Sequence, residues 1–148
     1  MEIKLIQQND NLWNKTIEFA DSCSWKAGHL LAEKMRKHDF LKWERVIIAC
    51  DNGKVVGYCT ITERDELPDA YGYSPFIGFL FVDENSRGCR ISEQMINMAS
   101  DYAQKLGYGK MYVTSGEHGL YEKYGFVYIG DYQTIYGTSD QLFEKELN

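Results

Sequence analysis

The stretch best suited to chemistry is an apolar strand that leads through a polar turn into an amphipathic helix. Residues 79–82 are apolar, residues 83–89 are polar and include Gly88, and Ile91 begins a stripe of helical spacing. At a helix start several backbone N–H groups lack intrahelical partners, and the helix dipole favours negative charge. The segment therefore predicts an anion site, suited to a pyrophosphate, at residues 88–92. Many α/β domains contain such a turn without a ligand, so this geometry alone is weakly specific.

A second segment with reactive side chains follows the next predicted strand. Residues 120–126 read Leu-Tyr-Glu-Lys-Tyr-Gly-Phe, which places the Tyr121 hydroxyl beside a charged pair and a glycine. A tyrosine in such a turn is more often a core residue with a satisfied hydroxyl than a catalytic group. Taken alone, the segment predicts a packed turn.

The N-terminal third of the chain is predicted to be a strand followed by two helices. Apolar residues indicate a strand at residues 3–6, and Asn9 or Asp10 can cap a helix after it. Ser24 can cap a second helix, whose apolar stripe continues toward Phe40. These elements precede both reactive segments.

The middle and end of the chain alternate between strands and helices. Residues 45–50 and 55–62 predict a hairpin, because Asn52-Gly53 between them supplies the positive φ angles of a tight turn. The remaining predicted elements are a strand at Phe76–Val82, a helix from Ile91 to Leu106, a strand at 110–114, a helical turn at 119–124, and strands at 126–136 and 141–147.

Length and composition fit one folded domain. The chain has 148 residues, 44% of them apolar and only two prolines, which is enough material for a continuous core.

A formal charge of −6 without clustered Lys and Arg argues against a nucleic-acid partner. No apolar run is long enough to cross a membrane, and the first ten residues lack an export pattern, so we expect a cytoplasmic protein with no membrane partner. The cysteines stand apart and predict reduced thiols rather than a metal site.

Together the two reactive segments resemble the GNAT acetyltransferase superfamily. Its acetyl-CoA motif has an Arg or Gln, two residues, a Gly, one residue and a Gly or Ala, after a strand that ends in a Val-Asp type pair. Val82-Asp83 and Arg87-Gly88 match this pattern. Residues 120–126 resemble the aromatic-Tyr-Glu-Lys-x-Gly-Phe segment near the end of that fold, with Leu120 at the aromatic position. The element order agrees as well, so the resemblance covers essentially the whole chain.

Arg90 and Ser92 depart from the family pattern, because they occupy its two small-residue positions. Small residues let the backbone approach the pyrophosphate closely, but the donors are main-chain N–H groups that any non-proline residue keeps. The Arg90 side chain either turns outward or adds a charge-assisted hydrogen bond to a phosphate. We expect acetyl-CoA binding to survive.

The resemblance implies one mixed α/β domain, residues 1–148, with a central, mostly antiparallel sheet of six or seven strands and helices on both faces. The sheet is split between the fourth and fifth strands, where the fourth strand pairs with the pantetheine arm, and the following helix start holds the pyrophosphate. The residues implied for acetyl-CoA are Leu80, Phe81 and Val82 on the strand, Arg87, Gly88, Cys89, Arg90, Ile91 and Ser92 at the helix start, Thr114 on the fifth strand, and Lys123, which is otherwise a solvated side chain.

The implied reaction is direct attack of a neutral amine on the thioester, helped chiefly by orientation, with acid–base assistance as a smaller effect. Tyr121 falls at the family's frequent catalytic tyrosine and is the candidate general acid for the departing thiolate. Many members carry a Glu base on the fourth strand, where this chain has no carboxylate. The alternatives, acting through water, are Glu63, Asp65, Glu66 and His118. His118 titrates near neutrality when unperturbed, but it also suits a turn histidine that caps backbone groups.

In this family one helical segment commonly forms a wall of the acceptor pocket. In this chain, that segment or the residues after it contain Trp25, His29 and Trp43. Aromatic rings there can hold a cationic amine by cation–π contact, and core packing is the competing interpretation. The acceptor itself stays open among a polyamine, an aminoglycoside, an amino acid and a protein amine. Exposed sheet edges and aromatic C-terminal strands are compatible with a homodimer.

The sequence thus predicts an acetyl-CoA-dependent N-acetyltransferase that uses no metal and acts on a small-molecule or peptide amine. A non-catalytic acyl-CoA-binding or regulatory module with the same fold is the alternative, motivated by Arg90, Ser92 and the missing carboxylate on the fourth strand. Transfer of a longer acyl chain, into a deeper pocket, is a second alternative.

Overall fold

Seven strands form one sheet in the order β1-β2-β3-β4-β5-β7-β6. The computed structural model describes residues 1–148. Every neighbouring pair is antiparallel except β4 and β5, which are parallel. The predicted mostly antiparallel sheet in a mixed α/β fold is confirmed. The strands are β1 (Glu2–Ile6), β2 (Arg45–Asp51), β3 (Lys54–Thr62), β4 (Phe76–Val82), β5 (Lys110–Ser115), β6 (Val127–Gln133) and β7 (Ser139–Glu146).

The helices cover both faces of the sheet. They are α1 (Trp13–Ser22), α2 (Gly28–Arg36) and α3 (Ile91–Lys105). Alternate residues of β2 point to opposite faces, so Val46 packs with α1 and α2 whereas Ile47 packs with α3. None of these helices is long and apolar enough to span a membrane.

The turn between β2 and β3 has the predicted geometry. Asn52 and Gly53 both have positive φ, at 52° and 77°, as a tight two-residue hairpin requires. Asp51 pairs with Lys54 directly across the turn. The Asn-Gly pair therefore fixes the register of the two strands that lead into the centre of the sheet.

The fourth strand is distorted at its middle and loses its neighbour on one side. Tyr58 pairs with Phe81 and Thr60 with Gly78, so two β4 residues lie opposite one residue of β3, and Phe79 there has a positive φ of 51°. On the other side, β4 and β5 share only the pair Phe76 and Tyr112. Beyond that pair the two strands diverge, where the split was predicted.

The second helix differs from its prediction at both ends. It begins at Gly28 with no side-chain cap, so the predicted cap at Ser24 is wrong, and it ends at Arg36, so Phe40 lies beyond it. The start is fixed by packing, because a Cβ on residue 28 would lie 2.3 Å from the Ala20 carbonyl oxygen of α1. At the other end His38 has a positive φ of 52°, which turns the chain out of the helix.

Replacing Gly53 by Ala should lower the free energy of unfolding by about 1–2 kcal/mol, because an L-residue is strained at its left-handed φ. Gly109→Ala is the matched control, since a Cβ there meets nothing within 4 Å and its φ is not in the left-handed range. Urea unfolding of both variants measures the difference. Equal losses for the two variants would contradict the assigned role of the turn.

Candidate active site

A cavity of about 840 Å³ opens where β4 and β5 diverge. Its volume lies in the range of small-molecule sites. The walls come from the α1–α2 connection, the β3–β4 loop, the facing edges of β4 and β5, the segment after β5 and the β6–β7 turn. The polar and aromatic lining residues are Ser24, Trp25, Asp65, Glu66, Phe79, Phe81, Arg87, Thr114, Ser115, Glu117, His118, Tyr121 and Tyr136.

The turn into α3 presents backbone donors that the protein itself does not use. No hydrogen bond within the protein has the N–H groups of residues 88–93 as donors. Gly88 and Arg90 adopt positive φ angles of 89° and 59°, which shape the turn ahead of the helix. Consecutive free N–H groups at the positive end of a helix dipole form a site for an anion such as a phosphate group.

The two arginines of this turn point in different directions. The Arg90 side chain is 82% exposed and its Nη1 lies 3.5 Å from Glu93 Oε1, so it turns outward along the helix. Arg87 instead lines the cavity. Its Nε donates to the Val82 carbonyl oxygen at 3.0 Å, and its guanidinium carbon lies 5.7 Å from the centre of the Phe81 ring. Only Arg87 adds positive charge to the cavity wall.

Tyr121 begins the short 3-10 helix Tyr121–Tyr124 and is 6% exposed. Its ring packs against Phe126 and Phe143, whereas its hydroxyl forms no hydrogen bond within the protein. Burial raises the pKa of Tyr121 above its usual range, and negative charges nearby add to this effect. The hydroxyl stays protonated near neutral pH, and Tyr121 is one of the residues that line the cavity.

Asp65 supplies a carboxylate to the part of the cavity beside β4. Thr114 Oγ1 on β5 donates to Asp65 Oδ2 at 3.2 Å. A Cβ on residue 78 would lie 3.4 Å from Asp65 Oδ1, so Gly78 leaves room for the carboxylate against the strand. Burial raises the pKa of Asp65 above its usual range, although the Thr114 hydrogen bond opposes the shift. A buried carboxylate with a raised pKa is a better proton acceptor than one in water.

The predicted residues divide into those that line the cavity and those that do not. The lining includes Trp25, Leu80, Phe81, Arg87, Thr114, His118 and Tyr121. The turn before α3 and the first residues of that helix are formed by Gly88, Cys89, Arg90, Ile91 and Ser92. Outside the lining lie Val82, which is buried toward α3, and Lys123, which is exposed.

Glu63, His29 and Trp43 also lie outside the lining, for separate reasons. The Glu63 backbone N–H is held by Glu44 while its carboxylate pairs with Arg64. His29 Nδ1 lies 3.1 Å from an Asp21 carboxylate oxygen on the outer side of the helices. Trp43 packs on Tyr108 beside α3. Glu63, His29 and Trp43 are thus held by contacts with neighbouring side chains outside the cavity.

Several contributors to the cavity were not singled out from the sequence, among them Leu30, Glu117 and Tyr136. Leu30 and Tyr136 are large and exposed, at 66% and 72%, and Glu117 lies in the loop after β5. An exposed aromatic at a turn was the one available signal for Tyr136. For the others, only the three-dimensional arrangement brings the side chains to the site.

A model of the acetyltransferase (GNAT) family matches residues 11–126. The chain belongs to this family. No sequence among the curated proteins matches the chain. The family relationship therefore rests on the family model.

The GNAT fold is also evident from solved structures. An aminoglycoside 6'-N-acetyltransferase from Enterococcus faecium superposes with a TM-score of 0.77 at 16% identity, covering 100% of this chain and 98% of that one. A GNAT N-acetyltransferase from Escherichia coli in complex with CoA gives 0.69 at 20% identity, covering 99% and 81%. An N-acetyltransferase from Staphylococcus aureus gives 0.67 at 18%, covering 99% and 97%. At these identities the likeness shows the fold alone.

Replacing Asp65 by Asn should stabilise the fold at neutral pH. The folded state binds the Asp65 proton more tightly than the unfolded chain does. The free energy of unfolding therefore falls as pH rises from the unfolded pKa near ~3.9 through the folded value, and it stays lower above that value. Asn keeps an acceptor for Thr114 and removes this penalty, so the melting temperature should rise at pH 7 and the gain should vanish below about pH 4.

Asp101→Asn, on the exposed side of α3, is the control for this prediction. A lower melting temperature for Asp65→Asn at pH 7 would contradict the assigned burial cost.

Proposed function

We propose that this GNAT-family chain transfers an acetyl group from acetyl-CoA to a primary amine, with Asp65 as general base and Tyr121 as general acid. One observation carries the proposal. A free, protonated tyrosine hydroxyl and a carboxylate with a raised pKa face the same cavity, in the opening between β4 and β5. A proton donor and a proton acceptor in one site can assist both proton transfers of acyl transfer to an amine.

The residues present fit acetyl-CoA. The free N–H groups of residues 88–93, together with Arg87, suit the negatively charged pyrophosphate. From Gly78 onward β4 pairs only with β3, so its edge toward β5 is available to an amide-rich chain such as pantetheine. When bound, acetyl-CoA supplies the activated thioester that is the acyl donor.

In the proposed reaction the amine nitrogen forms a bond to the thioester carbonyl carbon and the carbon–sulfur bond breaks. Asp65 accepts the proton that the amine loses, directly or through a water. Tyr121, which is protonated at neutral pH as an ordinary tyrosine is, donates a proton to the departing sulfur. Exchange of protons with water then restores the Tyr121 hydroxyl and the Asp65 carboxylate. The products are an N-acetyl amine and free CoA, with no covalent enzyme intermediate.

Two features of the sequence favoured a non-catalytic module, namely Arg90 and the missing carboxylate on β4. In this arrangement neither of them argues against catalysis. Arg90 points outward and pairs with Glu93, so it leaves the N–H groups of the turn accessible. The carboxylate that is missing from β4 has a substitute in Asp65, beside Gly78. Both observations support the catalytic proposal over a module that only binds acyl-CoA.

Removing either proton-transfer group should slow turnover without weakening acetyl-CoA binding. Tyr121→Phe should lower kcat about 10²-fold, and Asp65→Asn should lower kcat/KM about 10²-fold or more, because each removes one acid–base contribution. Thiol release with an amine panel, and calorimetric titration of acetyl-CoA, measure the two quantities. Normal turnover by both variants would rule out these roles.

The pH profile gives a second readout for Asp65. For the wild-type protein, the plot of log(kcat/KM) against pH should become steeper below the raised pKa of Asp65. At such pH values both the amine and Asp65 must lose a proton before the reaction. The Asp65→Asn profile should keep the single slope of the amine throughout. Parallel profiles for the two proteins would exclude Asp65 as the base.

The two arginines of the α3 turn should differ in their effect on acetyl-CoA. Arg87→Ala should weaken binding about 10–100-fold, the size of a lost charge-assisted hydrogen bond. Arg90→Ala is the matched control and should change the Kd by no more than about threefold, because its ion pair is exposed. Calorimetric titration separates the two, and equal losses would mean that Arg90 also serves the phosphate site.

A further inference from the structure

The cavity has one strongly acidic side. Asp65, Glu66 and Glu117 are all in its lining, and Asp140 lies beside it, because a Cβ on the lining residue Gly116 would be 3.9 Å from Asp140 Oδ1. The single arginine or lysine of the lining, Arg87, lies at the end of β4 next to the α3 turn. The acidic side therefore faces the region away from the proposed pyrophosphate site.

No ion pair neutralises these carboxylates, although the charge of Lys34 acts on Asp65 from beyond ion-pair distance. None of Asp65, Glu66, Glu117 and Asp140 takes part in a salt bridge. Nearby Arg64 pairs with Glu63 and Asp69 instead, and Lys34 pairs with Asp39. Burial, and then the charges of Asp65 and Asp140, raise the pKa of Glu66, as expected for carboxylates crowded without a counter-ion.

Hydrogen bonds hold the acidic side in place. The Ile135 N–H donates to the Glu66 carbonyl oxygen at 2.7 Å, which ties the β6–β7 turn to the β3–β4 loop. Gln141 Nε2 donates to the carbonyl oxygens of Ser115 and Glu117, at 3.1 and 3.0 Å. The same β6–β7 turn presents the exposed Tyr136 ring to the cavity. The carboxylates and the ring therefore belong to one connected wall.

We propose that the acceptor carries at least one protonated amino group besides the amine that is acetylated, and that Glu66, Asp140 and Glu117 bind this second cation. The inference rests on the proposed function. The reacting amine must be neutral when it attacks, and Asp65 takes up its proton, so a monoamine leaves the other carboxylates uncompensated. An acceptor with a second ammonium group pairs with them, and Tyr136 can add a cation–π contact.

Two amines of equal chain length test this proposal. Diaminobutane and butylamine differ by one ammonium group, so thiol release at saturating acetyl-CoA compares their kcat/KM values directly. We expect the diamine to exceed the monoamine by at least about tenfold, equivalent to ~1.4 kcal/mol. Added sodium chloride should reduce this preference, because salt screens the charges at the cavity mouth.

Variants then locate the preference. Glu66→Gln keeps the shape of the side chain but removes a charge, and it should lower the diamine-to-monoamine ratio of kcat/KM several-fold. Asp140→Asn should do the same, which guards against a folding defect in either variant. Glu122→Gln is the matched control, because Glu122 is exposed on the short helix beside Tyr121 and is not in the cavity lining. The diamine-to-monoamine ratio of kcat/KM for Glu122→Gln should equal that of the wild-type protein.

Binding without turnover provides a readout independent of catalysis. Titration of the triamine spermidine into the CoA-loaded protein should give measurable affinity that Glu66→Gln weakens and Glu122→Gln does not. Equal kcat/KM for diamine and monoamine, or a ratio unaffected by Glu66→Gln, would overturn the second-cation site while leaving the acetyltransferase intact. Failure of every amine to release thiol, with acetyl-CoA bound, would overturn the proposed function, and absence of spermidine binding would overturn the cation site on its own.

Discussion

The whole site depends on the early end of pairing between β4 and β5. A single residue pair, Phe76 and Tyr112, holds the two strands together, and past it the sheet opens. The bulge at Phe79 and Leu80 lies in the same stretch, where β4 is paired only with β3. A continuous sheet would fill this space with ladder hydrogen bonds, so the cavity exists because the backbone stops pairing. The core beneath is still complete, because α3 packs on one face and α1 with α2 on the other.

Local patterns in the sequence were sufficient for most of the fold. The Asn52-Gly53 turn, the apolar β4 and the stripe of α3 are each encoded within a short stretch, so periodicity and turn chemistry predict them. The start of α2 was not predictable in this way, because it depends on the close approach of Gly28 to Ala20 across two helices. The α3 turn was recognisable for the same local reason, whereas the direction of the Arg90 side chain was not.

The two proposed acid–base groups also differ in how far the sequence alone identifies them. Tyr121 belongs to a contiguous segment with a family resemblance, so the sequence alone brings attention to it. Asp65 lies in a polar loop with several carboxylates, and nothing in the sequence distinguishes it from Glu63. Only the folded chain separates them, because Glu44 and Arg64 engage Glu63 while Gly78 and Thr114 accommodate Asp65. Sequence reasoning therefore identified a set of candidates, and the tertiary arrangement ranks them.

The walls of the cavity differ in how they are distributed along the chain. The anion-binding turn and the distorted strand are neighbours in sequence, within residues 79–93, whereas the opposite wall combines Trp25, Glu66, Glu117 and Tyr136 from four separate connections. Connections tolerate replacement better than the strands and helices that they join. Replacement of a single connection would therefore change one part of that wall and leave residues 79–93 in place. Under the proposed function, the choice of acceptor is thus a property of four separate connections, whereas donor binding is a property of one contiguous segment.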